Sequence, residues 1–153
     1  MVQHIWTVPC RLSTVDRESN NASLIEALEE LTIPTVLPQQ PDRALIPAIF
    51  DVVTLWGREN DERAESGFGR MTLVSPSGEP LLVNEYDIGL RESRRFRLVG
   101  RLLGFPAQNS GRYHFRVERR QGDNAEWHQV ATVPLWVNIL RQENRPEQNG
   151  GAQ

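Results

Sequence analysis

Apolar and polar residues alternate along most of the chain, in short runs that turn residues interrupt. The run "AIFDVVTLWG" is the richest in β-branched and aromatic residues, which favour strands. Both of its alternating faces are largely apolar, so we expect a central strand that is covered on both sides. Turn signals recur about every ten to fifteen residues, a spacing typical of a β-sandwich or barrel.

Two further runs carry specific turn chemistry. In "FGRMTLVSPSGEPLLVNEY" Pro76 suits the second position of a hairpin turn, and Gly78 can supply a positive φ. In "GRYHFRV" Gly111 permits a turn into a strand that places Tyr113 and Phe115 on one face. A tyrosine that enters the core there needs a hydrogen-bond partner, often an upstream backbone group, as in the tyrosine corner of immunoglobulin-like sandwiches.

The segment "SLIEALEELTI" fits two structures. Helical spacing groups its leucines on one face, and Ser23 with Glu26 matches a capping box. Its content of Ala, Leu and Glu also favours a helix. Strand spacing instead groups Ile25 and Leu31, and the runs on both sides are strand-like. The residues alone therefore leave a short helix near 23–31 and a strand as alternatives.

Together these patterns predict an all-β chain: an antiparallel two-sheet immunoglobulin-like β-sandwich of seven to eight strands, with the short helix near 23–31 left open. The 153 residues suffice for one domain, which can bury roughly 70% of its unfolded surface without disulfides or a structural metal. We assign this single domain to residues 1–140. The polar stretch 141–153 is expected to be a disordered tail.

Four stretches, "HIWTVPCRLSTVDRESNNASLIEALEEL", "AIFDVVTLW", "LVSPSGEPLL" and "GRYHFRV", follow in an order that resembles a group of uncharacterised bacterial β-sandwich proteins of unknown function. They cover most of residues 4–137. The resemblance implies an immunoglobulin-like fold and, after the "TVDRESNNAS" loop, a strand rather than a helix. It implies no activity and assigns no functional residue.

The chain has one cysteine, Cys10, so no intramolecular disulfide can form, and this fits a reducing compartment. Cys10 itself lies in an alternating run and is expected to be a buried small hydrophobe. The N-terminal "MVQHIWTVPCRL" does not have the pattern of a signal peptide. No apolar run approaches the roughly 18 residues of a membrane span. We therefore expect a cytoplasmic protein with no membrane span.

The net charge of −3 conceals an uneven distribution of charge. All 17 basic residues are arginine. Residues 91–120 contain nine arginines and two acids, whereas the rest of the chain contains eight arginines and eighteen acids. An asymmetry of this kind is typical of a binding face, or of two surfaces that attract each other.

Five arginines are expected to share one sheet face, because strand alternation groups them on two successive strands that a short loop joins. They are Arg95, Arg97, Arg101, Arg112 and Arg116. Guanidinium groups so close together repel each other unless acids or anions match them. Three alternatives could match these charges. The arginines are solvated and have cross-strand partners such as Glu118, or they bind an acidic protein surface, or they bind a phosphate backbone. Trp127, at the start of the last strand, is expected to be a partly exposed anchor beside this face.

The arginine face favours a non-enzymatic protein-interaction or assembly module, with a second copy or another protein as partner. Nucleic acid is the less favoured alternative, because the sequence pI is about 5.6 and no exposed aromatic residues are expected between the arginines.

No catalytic motif is present: the chain has no G-x-S-x-G elbow, no G-x-G-x-x-G and no P-loop. We therefore expect no enzyme activity and no cofactor. His4, His114 and His128 lack metal-ligand spacing, although a hairpin could bring the last two together. The acidic loop at 60–65 lacks the alternation of an EF-hand, and a calcium- or ligand-binding sandwich is the third alternative.

Overall fold

The computed structural model describes residues 1–35, 45–106 and 109–141, and these ranges are all β with no helix. The all-β, two-sheet class predicted from the alternation is therefore confirmed. The predicted tail, 141–153, lies outside the described residues apart from Arg141, at which the last strand ends.

The described residues form eleven strands, most of which belong to two sheets. They are β1 (Val2–Val15), β2 (Ala22–Ala27), β3 (Glu30–Thr35), β4 (Leu45–Ile46), β5 (Phe50–Arg58), β6 (Glu65–Val74), β7 (Pro80–Leu90), β8 (Arg95–Leu102), β9 (Phe105–Pro106), β10 (Gly111–Arg120) and β11 (His128–Arg141). Sheet A is antiparallel in the order β2-β1-β5-β8, and sheet B has the order β3-β11-β10-β6-β7 and curls into a half-barrel. Among the described residues, β4 and β9 form a separate two-stranded sheet.

β5 lies at the centre of sheet A because both of its faces are apolar. Every residue from Phe50 to Gly57 is buried, which confirms the predicted central strand. Phe50 packs in a cluster with Phe105 and Phe115 between the sheets, and Trp56 belongs to a second cluster at the other end of the strand. Full burial of one large apolar side chain contributes about 1.5–3 kcal/mol, so these clusters hold the two sheets together.

The helical alternative for residues 23–31 is wrong. Ser23 pairs with Thr14 in the β1–β2 ladder, and the Leu28 N–H donates to the Pro9 carbonyl at 2.8 Å. Glu26, within β2, has a φ of 55°, and the chain bends at Glu29 before β3 begins. Helix propensities differ by less than about 1 kcal/mol per residue, so ladder pairing with the long strand β1 outweighs them.

Sheet B departs from the predicted antiparallel arrangement. β3 runs parallel to β11, with Leu31 opposite Val137 and Ile33 opposite Ile139. The described chain crosses from sheet A to sheet B between β2 and β3, so the 23–31 segment contributes a strand to each sheet. The two sheets therefore hold nine strands rather than seven or eight.

The β6–β7 hairpin forms at the predicted turn. The Gly78 N–H donates to the Ser75 carbonyl at 3.0 Å, which places Pro76 at the second position. Gly78 has a φ of 89°, a conformation that L side chains rarely adopt. The Ser75 hydroxyl accepts the Glu79 N–H at 3.0 Å and secures the turn from inside.

Tyr113 forms the predicted hydrogen bond to an upstream backbone group. Its side chain is fully buried, and its hydroxyl donates to the Asn109 carbonyl, four residues upstream, at 2.7 Å. Gly111, between them, has a φ of 152°, and a Cβ there would lie 2.9 Å from Pro76. The turn into β10 therefore depends on both the glycine and the tyrosine.

Replacing Tyr113 by phenylalanine is expected to lower the free energy of unfolding by about 1–2 kcal/mol, because the Asn109 carbonyl loses its hydroxyl partner while the ring still fills the core. Urea unfolding at neutral pH measures the loss. A variant as stable as the wild type would show that water replaces this bond without cost.

Candidate functional site

The five predicted arginines do not share one face. β8, which carries Arg95, Arg97 and Arg101, pairs with β5 in sheet A. β10, which carries Arg112 and Arg116, lies between β11 and β6 in sheet B. The predicted pairing of the two arginine strands is therefore wrong. Between them the chain passes through β9, which pairs with β4, and enters the other sheet.

In sheet A the β8 arginines bind the β1–β2 hairpin. Arg101 Nε donates to Asp51 Oδ1 at 2.9 Å, and its Nη2 lies 3.4 Å from Asp51 Oδ2. The same Oδ2 accepts the backbone N–H of Ser13 at 2.8 Å and its hydroxyl at 2.7 Å. Arg97 Nη2 donates to the Asn20 carbonyl at 2.8 Å. Arg97 and Arg101 therefore hold the β1–β2 hairpin in place.

These contacts require the hairpin to bend back over the outer face of sheet A. Cys10 on β1 is opposite Asp51 on β5, and Asn20 follows Cys10 by ten residues. Arg97 is opposite Leu55, which lies four residues further along β5 than Asp51. An arginine side chain reaches Asn20 only if residues 11–20 fold back across this face. The bend explains why Cys10 and Asp51 are fully buried although their register places them on the outer side.

In sheet B the register places Arg112 and Arg116 on the outer face of β10, opposite the buried Tyr113 face. Arg112 lies over the ring of Trp136, with 5.8 Å from its guanidinium carbon to the ring centre. Arg116 Nε lies 3.5 Å from the carboxylate of Glu118. These two predicted residues keep their place on a solvent-facing sheet surface.

Trp127 is half-buried, and two guanidinium groups lie over its ring. The guanidinium carbon of Arg70 lies 4.4 Å from its ring centre, and that of Arg120 lies 4.7 Å from it. Arg120 also lies over Phe68, at 4.9 Å from that ring centre. Glu118 holds the Arg70 side chain through an ion pair. We refer to Phe68, Arg70, Glu118, Arg120 and Trp127 as the Trp127 cluster.

Glu118 orients Arg70 through a two-point ion pair. Arg70 Nε donates to Glu118 Oε2 at 2.7 Å, and Arg70 Nη2 donates to Oε1 at 2.9 Å. This hydrogen bonding holds the pKa of the Glu118 carboxyl below its usual value. Because the planar guanidinium is fixed at two points, it can cover Trp127 without the freedom of an ordinary surface arginine.

Sequence reasoning missed Arg70, Arg120 and Phe68. Alternation along β10 does group Arg120 with Arg112 and Arg116, so one signal was present in the sequence. Arg70 and Phe68 belong to β6, and they join the site only because Glu118 pairs with Arg70 and Arg120 with Phe68. That pairing spans about fifty residues of sequence, and local alternation does not reveal it.

The charges on the outer face of sheet B are balanced. The register places four arginines and four acids on this face, which are Arg70, Arg112, Arg116 and Arg120 with Glu30, Glu85, Asp87 and Glu118. Aromatic rings lie between the arginines, and Trp136 is 54% exposed. The expectation that no exposed aromatic residue lies among the arginines is therefore wrong.

The histidines do not converge. β10 and β11 do form a hairpin, but His114 is opposite Pro134 whereas His128 is opposite Arg119. Burial, and then the charges of its two arginine neighbours, lower the pKa of His114. His4 shares a 2.8 Å hydrogen bond with Thr7. Across the three described ranges, no group of three His, Cys, Asp or Glu side chains could hold a metal ion.

Two further sequence candidates have internal roles. Cys10 is a fully buried thiol, as predicted, and burial raises its pKa. In the acidic loop, the Glu65 carboxylate accepts hydrogen bonds from the Met1 ammonium at 3.0 Å and from the Glu59 N–H at 3.1 Å. The most buried acid of that loop is therefore already bound within the protein.

No protein-family model matches the chain, and no curated protein matches it. Within the described residues, no helix is long and apolar enough to cross a lipid bilayer.

Proposed function

We propose that the protein is a non-enzymatic interaction module whose contact surface is the outer face of sheet B, centred on the Trp127 cluster. The observation that carries the proposal is the contact of both the Arg70 and the Arg120 guanidinium with the Trp127 ring. Tryptophan and arginine are the residues most enriched at the energetic centres of protein interfaces. Here both are held in place before any partner binds, so little side-chain entropy remains to be lost.

Charge balance supports a protein partner over a phosphate backbone. Binding to nucleic acid depends on a net positive surface that releases counterions. Four acids offset the four arginines on this face, so that driving force is small. A protein surface can match both the positive and the negative charges of this face. Mixed charges of this kind determine how two proteins align and which partner is chosen.

A second copy of the chain is the first partner to test. Outside residues 91–120 the chain carries ten more acids than arginines, so one copy offers acidic surface to the arginines of another. A homodimer through this face would place each Trp127 cluster against the same surface patch of its partner or against a neighbouring acidic one.

Sedimentation velocity over a range of protein concentrations tests this proposal. We expect the wild type to self-associate and Trp127→Ala to weaken association by about 30-fold or more, as loss of an interface anchor does. Arg120→Gln is expected to weaken it as well. Arg95→Gln removes the same charge from an exposed site on sheet A and serves as the matched control.

A protein that stays monomeric at all concentrations, with no response to salt, would contradict self-assembly through this face. Retention on immobilised RNA or heparin that falls steeply with salt and depends on Trp127 would support the anionic-polymer alternative instead. The aromatic rings among the arginines are the observation that keeps this alternative open.

We also retain, as proposals, membership of the uncharacterised bacterial sandwich group, an immunoglobulin-like topology and a cytoplasmic location. The bond from Tyr113 to Asn109 supports the topology, because it has the form of a tyrosine corner.

A further inference from the structure

An open depression of about 370 Å³ lies beside Trp136, on the outer face of sheet B at the end where β10 begins. Its walls come from the start of β10, from β11 and from the edge strand β3. They are formed by Glu30, Ser110, Gly111, Trp136, Val137 and Asn138. This end of the face is separate from the Trp127 cluster, because Arg112 and Arg120 lie eight residues apart on β10, or roughly 26 Å.

The depression combines one flat apolar surface with several short polar groups. Trp136 is 54% exposed, which is a large fraction for the largest apolar side chain. Glu30 is opposite Trp136 in the β3–β11 pair, and Asn138 lies two residues further on the same face. Both are exposed, so a carboxylate and an amide flank the indole ring.

The other groups at the site are already held in position. The Ser110 hydroxyl accepts the Ile139 N–H at 2.9 Å, so its own hydrogen remains available to a ligand. Arg112 lies over the indole with 5.8 Å to the ring centre and covers part of one side. The ring is therefore supported by the protein and still presents much of its surface to solvent.

We propose that this depression binds a neutral saccharide. A pyranose ring has one face of C–H groups that packs against an aromatic ring and an edge of hydroxyls that both donate and accept hydrogen bonds. A carboxylate, an amide and a hydroxyl around one indole match that combination. The charges of Glu30 and Arg112 offset each other beside the indole ring, which favours a neutral ligand. The open shape accommodates an internal unit of a longer chain.

Native gel electrophoresis in gels that contain one soluble neutral polysaccharide each tests the assignment, with starch, xylan, mannan and mixed-linkage β-glucan as probes. We expect at least one polymer to retard the wild type. Trp136→Ala is expected to weaken that retardation at least tenfold, whereas Trp136→Tyr, which keeps an aromatic platform, retains part of it. Leu103→Ala, which removes an exposed apolar side chain between β8 and β9, leaves the retardation unchanged and is the matched control.

Migration unaffected by every polymer would overturn the proposal, and so would equal retardation of the wild type and both Trp136 variants. A shift in tryptophan fluorescence that adenosine monophosphate causes in the wild type but not in Trp136→Ala, with no response to the polysaccharides, would assign the site to a nucleotide and overturn the proposal as well. Because Trp136 is exposed, each variant is expected to melt within a few degrees of the wild type, and Trp136→Tyr provides the comparison if the alanine variant does not fold.

Discussion

Replacing Asp51 by asparagine is expected to lower the free energy of unfolding by about 2–3 kcal/mol. The carboxylate is fully buried and accepts hydrogen bonds from Arg101 and from both the N–H and the hydroxyl of Ser13. Asparagine keeps the size of the side chain but removes the charge and one acceptor oxygen. Arg101 then loses its ion pair, and Ser13 in the β1–β2 hairpin loses its charged acceptor on β5.

Denaturant unfolding measures the total loss, and hydrogen exchange at the Ser13 amide tests whether it begins in the hairpin. Faster exchange at Ser13 than at core amides such as Val53 would show local opening. Asp87→Asn, at an exposed position on β7, is the matched control and is expected to change stability by less than about 0.5 kcal/mol. Equal effects of the two substitutions would contradict the role given to Asp51.

The contribution of Asp51 depends on pH. The hydrogen bond from Arg101 lowers the pKa of the carboxyl from 3.8 to about 2, against the opposing effect of burial and with further help from Ser13. Because the pKa is lower in the folded state, its stabilisation is fully present above about pH 4 and is lost as the pH falls towards 2. The difference in stability between wild type and Asp51→Asn should therefore shrink over that interval. A difference that stays constant from about pH 5 to pH 2 would mean that Asp51 is not the ionised partner of Arg101.

Alternation along the chain was enough to assign faces within a strand. It placed Tyr113 and Phe115 in the core and Arg112 and Arg116 outside, and it identified β5 as a strand buried on both sides. These assignments depend only on the two-residue period of a strand and on the free energy of burying apolar side chains. Turn chemistry at Gly78 was equally local, and it was also correct.

The same reasoning failed wherever the answer depended on which strands are neighbours. A short connection usually joins paired strands, yet the chain between Arg101 and Arg112 passes from one sheet to the other. Residues 23–31 are divided between the sheets for a similar non-local reason, since their partners are β1 and β11. Arg70 meets Trp127 only through the β6–β10 pairing. Asp51 was a local sign of such a contact, because it is a carboxylate inside the most apolar run. A buried charge needs an oppositely charged or hydrogen-bonding partner, and that partner can lie far away in the sequence.

Replacing Gly69 by alanine is expected to destabilise the protein by about 2–3 kcal/mol, because the site is overpacked. A Cβ at this position would overlap the ring of Tyr86 on the neighbouring strand. The Tyr86 ring cannot move without loss, since it stacks on Phe96 and its hydroxyl accepts the Trp56 N–H at 3.2 Å. Urea unfolding measures the change in stability.

Gly89→Ala is the matched control, because the same substitution on adjacent β7 meets no atom within 4 Å. There, alanine restricts the unfolded chain and is expected to be neutral or slightly stabilising. A second readout follows the displaced ring itself. Burial raises the pKa of Tyr86 to about 12, so a ring that is pushed towards solvent should titrate closer to the ordinary value of about 10. Since the chain has two tyrosines, an alkaline absorbance titration resolves the change, and an unaltered titration in a destabilised Gly69→Ala variant would place the strain in the backbone rather than at Tyr86.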